Sequence, residues 1–182
     1  NAQTPEAALA RKYWKEKRGL SDAAIRRFGL GYAPNDGQAL YQYLRDKGYN
    51  QQELDASGLF KRSQSGRIYC LFWRRVMTPI FDLRGNIIAF GGRVLDDSKP
   101  KYVNSPETLV YHKSETVFAL QIAKKSASRR FVLCEGYMDV ISMQQAGIDT
   151  AVCACGTALT PGQVRIISEY ADEVILSYDS DE

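Results

Sequence analysis

Four acidic residues in the last third of the chain, Glu135, Asp139, Asp179 and Asp181, have the types and spacing to gather around a divalent metal. Glu135 directly follows the apolar run at 131–134, and Asp179 follows a second run at 173–178. Asp179 and Asp181 are two residues apart, and in extended backbone such residues face the same way, so both aim at one point. Mg²⁺ takes hard oxygen ligands and keeps several of its waters, so a few carboxylates together with substrate phosphates suffice to hold it. Asp139 lies four residues after Glu135, one helical turn on, and adds charge near the same place. Gly136 permits close approach of backbone or phosphate at a helix start. Any one of these acids taken alone reads better as a solvated residue at a strand end or a helix start. Three of them at two strand ends make the metal-site pattern.

The elements that must position these acids are legible after Lys113. A helical stretch over 115–126 leads to a strand over 131–134, a helix from about Tyr137 to Gln145 stopped by Gly147, and a strand over 150–155. Thr160 and Pro161 start another helix, and 173–178 forms a third strand. Strands alternating with helices of this length predict right-handed crossovers and a parallel sheet. Ligands of such sheets bind beyond the carboxyl ends of the strands, where Glu135 and Asp179 fall.

The preceding residues read as mixed α and β. Thr4 and Pro5 open a helix through about Arg18 with Gly19 as its stop, and Ser21 caps a second helix ending near Gly29. Asp36 and Gly48 bracket a third helix, and Asn50 with Glu53 resembles a capping box for a short fourth one closed by Gly58. Runs at 68–73, 76–81 and 86–90, the last two joined by the turn Asp82-Leu83-Arg84-Gly85, predict antiparallel strands. No internal repeat and no low-complexity tract interrupts the 182 residues.

Composition bounds the function classes. With 45% hydrophobic and 25% charged residues the chain reads as a soluble globular protein. No apolar run approaches the roughly 18 residues of a membrane span, and no signal-peptide pattern opens it, so a cytoplasmic protein is expected. The net charge of +3 conceals an asymmetry. Residues 1–113 hold 19 Lys and Arg against 11 Asp and Glu, whereas residues 114–182 hold 5 against 10. A basic front and an acidic back suit a nucleic-acid enzyme with a carboxylate metal site, and chance clustering on a solvated surface is the plain alternative. Cys70, Cys134, Cys153 and Cys155 lie in or beside apolar runs and read as reduced core residues. Cys153 and Cys155 flank a single residue and His112 is the only histidine, so the spaced pairs of a zinc site are missing and no zinc is expected.

Three blocks of residues resemble one family. Glu135-Gly136-Tyr137-Met138-Asp139-Val140, Gly156-Thr157 and Tyr178-Asp179-Ser180-Asp181 are similar to the TOPRIM signature as it stands in bacterial DnaG-type primases. TOPRIM is shared with topoisomerases and some nucleases, so this block alone is ambiguous. The stretch Phe90-Gly91-Gly92-Arg93-Val94-Leu95, the stretch from Lys99 to Thr108, and Tyr111-His112-Lys113 resemble the basic N-terminal subdomain of primase cores. Lys17-Arg18-Gly19-Leu20-Ser21, Phe28 and Gly31-Tyr32-Ala33-Pro34 resemble the same subdomain.

The resemblance implies an α/β protein with a basic mixed α+β subdomain over 1–113, followed by an incomplete TOPRIM domain with a parallel sheet over 114–182. It implies DNA-directed synthesis of RNA primers from ribonucleoside triphosphates, dependent on Mg²⁺ or Mn²⁺. Glu135, Asp179 and Asp181 match the family's metal-binding acids, and Asp139 matches the acid one turn on. Arg18, Arg93, Lys101, Tyr102, Asn104 and Lys113 match positions lining the groove for single-stranded DNA template, RNA primer and incoming nucleotide. It further implies a replicative helicase as partner, through a domain absent from this chain.

Three departures qualify the match. Cys70-Leu71-Phe72-Trp73 stands where family members carry one acidic and two basic residues around the phenylalanine, so part of the groove is expected to bind differently. Ser180 replaces the usual glycine of the acid pair. The chain stops at Glu182 without the later acidic pair, and so reads as a fragment. A TOPRIM nuclease or topoisomerase, which would cut or relax DNA without ribonucleotides, is the enzymatic alternative. A module that grips single strands and does no chemistry is the non-enzymatic one.

Overall fold

A computed structural model describes residues 4–156 and 158–179. The Thr4 side chain accepts from the backbone N–H of Ala7 at 3.2 Å, and Pro5 opens α1 (Pro5–Lys12). The helix continues as a single wide π turn over Tyr13–Lys17, closed by the Arg18 N–H on the Tyr13 carbonyl at 3.1 Å. Ser21 caps α2 (Asp22–Arg27). The short β1 (Gly31–Ala33) then precedes α3 (Ala39–Asp46) and α4 (Gln51–Ala56), the latter opened by the reciprocal Asn50 and Glu53 capping box that the sequence predicts. A small hairpin of β2 (Phe60–Arg62) and β3 (Ile68–Cys70) follows.

β4 (Arg75–Phe81), β5 (Ile87–Val94) and β6 (Tyr102–Asn104) join β1 in an antiparallel sheet of order β1-β4-β5-β6. The β4–β5 turn forms because the Asp82 carboxylate accepts from the backbone N–H groups of Arg84 and Asn86, each at 2.8 Å. The run expected as a strand over 68–73 stops at Cys70, and the turn after it holds Arg74 in the left-handed region at φ 53°. β1, β2 and β6 have three residues each, too few to show a period in sequence.

The second sheet has the order β10-β8-β9-β7. β8 (Arg130–Cys134), β9 (Ala151–Ala154) and β10 (Glu173–Ser177) run parallel, linked by α6 (Tyr137–Gln145) and α7 (Pro161–Ser168), as the alternation of elements predicts. The helix expected over 115–126 is not there. A 3-10 turn (Lys113–Glu115), the two-residue β7 (Val117–Phe118) and the single helical turn α5 (Leu120–Ala123) replace it, with Ala119 at φ 64° between strand and helix. Val117 and Phe118 instead pair antiparallel with β9, because the edge of the parallel sheet leaves backbone groups that need partners.

Strand alternation sorts the core into two layers. Phe131, Leu133 and Val152 pack with Leu120 and Ile167 on the α7 side. Cys134, Ala151 and Cys153 face the other way and join Val140 and Ile141 of α6 with Tyr13, Trp14, Phe28, Val76 and Ile80 from the front of the chain. The two sheets therefore share one core, stitched by Phe28 stacked on Phe118 at 6.0 Å and Phe118 on Tyr137 at 4.5 Å. No described helix is long and apolar enough to cross a membrane.

All four cysteines are free and buried. Burial pushes the Cys134 thiol up to about 11 and the Cys155 thiol up to about 12. A folded sample at pH 8 should therefore resist iodoacetamide at all four positions and take up four equivalents only in denaturant. Rapid labelling of folded protein, read by mass spectrometry, would contradict this packing. The close contact between the sheets makes a second expectation. A Cβ on Gly91 would lie 2.7 Å from the Tyr137 ring, whereas one on Gly31 would meet nothing within 4 Å. Gly91→Ala should cost about 1–3 kcal/mol in urea unfolding and Gly31→Ala far less.

Candidate active site

Parallel pairing brings the acids together. β8 and β10 are adjacent and in register from Arg130↔Glu173 to Cys134↔Ser177, so the residues that follow them leave the sheet at one end. The Asp179 backbone N–H donates to Glu135 Oε2 at 3.3 Å, and both carboxylates are exposed. Asp139 is in the first turn of α6, where its Oδ2 accepts from the Gly136 N–H at 3.0 Å. That bond ties the acid to the helix start, where the positive end of the helix dipole also favours a carboxylate. Asp181 lies outside the described residues, as do Ser180 and Thr157. Among the described residues no three His, Cys, Asp or Glu side chains gather as a metal site. Glu135 and Asp179 nevertheless offer hard, solvent-reachable oxygens, the donor chemistry that suits Mg²⁺ or Mn²⁺.

Opposite these acids stands a basic wall from the first sheet and the end of the first helix. Arg93 of β5 pairs in register with Tyr102 of β6, and Gly91 with Asn104. Arg18 follows the π turn. The side chains alternate between cation and ring. The Arg18 guanidinium lies 5.4 Å from the Tyr13 ring, Arg93 lies 5.3 Å from Tyr13 and 5.4 Å from Tyr102, and the Lys101 ammonium lies 6.0 Å from Tyr102. Aromatic faces attract cations without neutralising them. Ion pairs within 4 Å involve other cations, so among the described residues Arg18, Arg93 and Lys101 keep their charge for a ligand. Arg75, buried beneath the loop before β6, donates to the Pro100 and Lys101 carbonyls at 2.8 and 3.2 Å and so fixes the approach of Lys101 and Tyr102.

The two walls enclose a cleft of about 410 Å³. Arg18, Arg93, Tyr102, Asn104, Glu135, Asp139 and Asp179 all line it, together with Trp14, Gly91 and Tyr137. Lys101 is one step outside, on the Tyr102 ring. Lys113 is not among the lining residues. It begins the 3-10 turn, where its N–H donates to Glu107 at 2.9 Å and its carbonyl accepts from the buried Gln163 at 2.7 Å. At the departure noted around Phe72, Cys70 and Phe72 are buried and Trp73 is 46% exposed.

Tyr13, Trp14 and Arg75 were not picked out from the sequence. Tyr13 and Arg18 are five residues apart, a spacing that no α-helical pattern pairs, and only the π turn brings them to one face. Arg75 stands in sequence as the second of two arginines just before the apolar run at 76–81, a position that reads as a solvated strand start.

Residues 1–124 match the family described as DNA primase catalytic core, N-terminal domain, and residues 132–182 match a Toprim-like family. The DNA primase of Clostridium acetobutylicum is 44% identical over 173 residues, covering 94% of this chain and 29% of the relative. That of Escherichia coli K12 is 40% identical over 181 residues, covering 98% and 31%. The chain thus spans under a third of the length of these curated relatives. Among solved structures, the RNA polymerase domain of Mycobacterium tuberculosis primase DnaG superposes with a TM-score of 0.90 at 38% identity, over 99% of this chain and 62% of that one. A DnaG primase catalytic domain bound to ssDNA gives 0.86 at 39% identity, over 98% and 58%. A basic antiparallel sheet facing acids at the ends of a parallel one, in a chain so matched along its length, belongs to the family of DnaG-type DNA primase catalytic cores.

Proposed function

We propose that this chain forms the part of a DNA primase in which template, primer and incoming ribonucleotide meet the metal site, for DNA-directed synthesis of RNA primers at replication forks. The observation that carries the reading is that one cleft is lined both by Glu135 and Asp179, which follow adjacent parallel strands, and by Arg18 and Arg93. Residues 1–113 supply the grip on nucleic acid and residues 114–182 the metal-holding acids. Partners in this reading are a single-stranded DNA template, an RNA primer, ribonucleoside triphosphates and, through a part of the protein outside this chain, the replicative helicase.

Nucleotidyl transfer joins a 3′ hydroxyl to the α-phosphate of a ribonucleoside triphosphate and releases pyrophosphate. Glu135, Asp179 and Asp181 would hold Mg²⁺ or Mn²⁺, which when bound polarises a phosphoryl oxygen and neutralises developing charge. Arg18 and Arg93 offer planar forks to phosphate oxygens, and Lys101, beside the Tyr102 ring at the edge of the cleft, adds a point charge. None of these contacts reads a base, so the grip is largely independent of sequence. Tyr102, 60% exposed beside Lys101, presents a ring on which a base can stack, and Asn104 adds a hydrogen-bonding group on the same strand. Asp139 keeps the start of α6 in place through the Gly136 N–H. The 39% identical catalytic domain solved with ssDNA supports binding of a single-stranded template.

Primer synthesis from labelled ribonucleotides on single-stranded template, measured in the full-length protein, tests the reading. Glu135→Gln keeps the side chain's shape and an acceptor for the Asp179 N–H but removes the charge. Synthesis should fall on the order of a hundredfold or more, about 2.7 kcal/mol, with template affinity by fluorescence anisotropy almost unchanged. Near-normal synthesis would remove Glu135 from the metal site. Binding to single-stranded DNA should also weaken steeply with salt, by about 0.7 log units per contacted phosphate for each log unit of salt. Replacing Arg93 and Lys101 together by alanine should flatten that slope by roughly one to two units, and an unchanged slope would locate the groove elsewhere.

A further inference from the structure

Two guanidiniums converge on one phenol. The Tyr13 hydroxyl accepts from Arg18 Nε at 2.8 Å and from Arg93 Nη1, which arrives from β5, eighty residues away in sequence. Both cations also lie against the face of the same ring. Bringing two like charges to one oxygen is unfavourable unless something compensates, and the usual compensation in proteins is a carboxylate. Here the shared acceptor is neutral, so both positive charges remain available. With both lone pairs of the hydroxyl engaged, its own proton is left to donate.

The backbone is shaped to make this meeting. In a regular α-helix, residues five apart point about 140° away from each other around the axis. The π turn over Tyr13–Lys17 closes that gap and returns Arg18 to the face of Tyr13. Tyr13 is held in turn. It is 8% exposed, and its ring packs edge-on against Trp14 at 5.0 Å. The wall also has donors with nothing to donate to. Trp14 Nε1 and Arg93 Nε are buried and have no acceptor among the described residues, although Trp14 lines the cleft. Unfilled donors beside two unneutralised guanidiniums favour an anion rich in acceptor oxygens.

We infer that Tyr13 is a positioning residue whose neutral hydroxyl couples Arg18 and Arg93 into one receptor for a phosphate group. The phosphate belongs to the backbone of a bound single strand or to a nucleoside triphosphate. The inference rests on the proposed nucleic-acid reading of the cleft and adds to it the residue that makes two separate arginines act together.

Tyr13→Phe tests it in the full-length protein, since phenylalanine keeps the ring, the packing and the cation–ring contacts and removes only the hydroxyl, acceptor and donor together. Two probes distinguish the sources: a fluorescein-labelled single-stranded oligodeoxynucleotide followed by anisotropy, and ATP followed by calorimetry. Affinity for at least one should fall about three- to tenfold, with a thermal midpoint close to that of the wild type. A loss with the oligonucleotide alone assigns the receptor to a backbone phosphate, and a loss with ATP alone assigns it to the nucleotide. The same change made in an Arg18→Ala, Arg93→Ala background should produce no further loss, because Tyr13 acts only through those two residues. Affinity within twofold of wild type for both probes, or an equal loss in the arginine-free background, would overturn the role of Tyr13. If Arg93→Ala with Lys101→Ala also leaves oligonucleotide binding and its salt slope unchanged, the reading of the cleft fails as well. If that pair weakens binding while Tyr13→Phe does not, only the present inference fails.

Discussion

Tyr137 lies directly against Gly91, so close that a methyl group in place of the glycine hydrogen would fall within 2.7 Å of the ring. This contact presses the first turn of α6 onto β5, and with it Glu135 and Asp139 onto the sheet that carries Arg93 and Asn104. The geometry of the cleft depends on it. Moving the helix outward by the thickness of a side chain would widen the separation between acids and cations by a comparable distance, and Coulomb attraction to a ligand spanning both would weaken accordingly. Close-packed interiors do not absorb such a shift gradually.

The opposed charges are kept apart by what holds each of them. The cations of the basic wall rest on tyrosine rings and a phenol oxygen, and the Glu135 and Asp139 carboxylates rest on backbone N–H groups. Among the described residues no ion pair joins one side to the other across the cleft. A polyanion with bound divalent cations completes both walls at once, since phosphate oxygens satisfy the guanidiniums while the metal takes the carboxylates. An arrangement that ion-paired its own arginines with its own acids would be more self-contained and would bind such a ligand less well.

Rigidity follows the same division. Glu135 and Asp179 stand at the ends of two adjacent parallel strands, and Arg93 stands on a hairpin of long strands with the turn at Asp82 fixed by backbone hydrogen bonds. The loop leading to Lys101 and Tyr102 is the least regular piece of the wall, and there the buried guanidinium of Arg75 takes over as a brace through two carbonyls. Groups that must meet a substrate in a defined geometry are best carried on elements of this kind.

Much of this was legible in the residues alone. The alternation of apolar runs with helix-capping residues determines the parallel sheet, the Asn50 and Glu53 pair determines the start of α4, and acids placed just after two apolar runs determine that carboxylates gather at one sheet end. These features are local, and local periodicity and capping record them. The tertiary structure decided the rest. Val117 and Phe118 became a strand because β9 needed an edge partner, against a local pattern that reads as helix. Lys113, placed by resemblance in the groove, begins a turn held by Gln163 and does not line the cleft. Tyr13 joined Arg18 and Arg93 through a π turn and a strand eighty residues distant. A sequence displays periods and spacings along one dimension, whereas the pairing of an edge, the fit of a ring on a glycine and the convergence of two cations on one oxygen are settled only when distant segments pack.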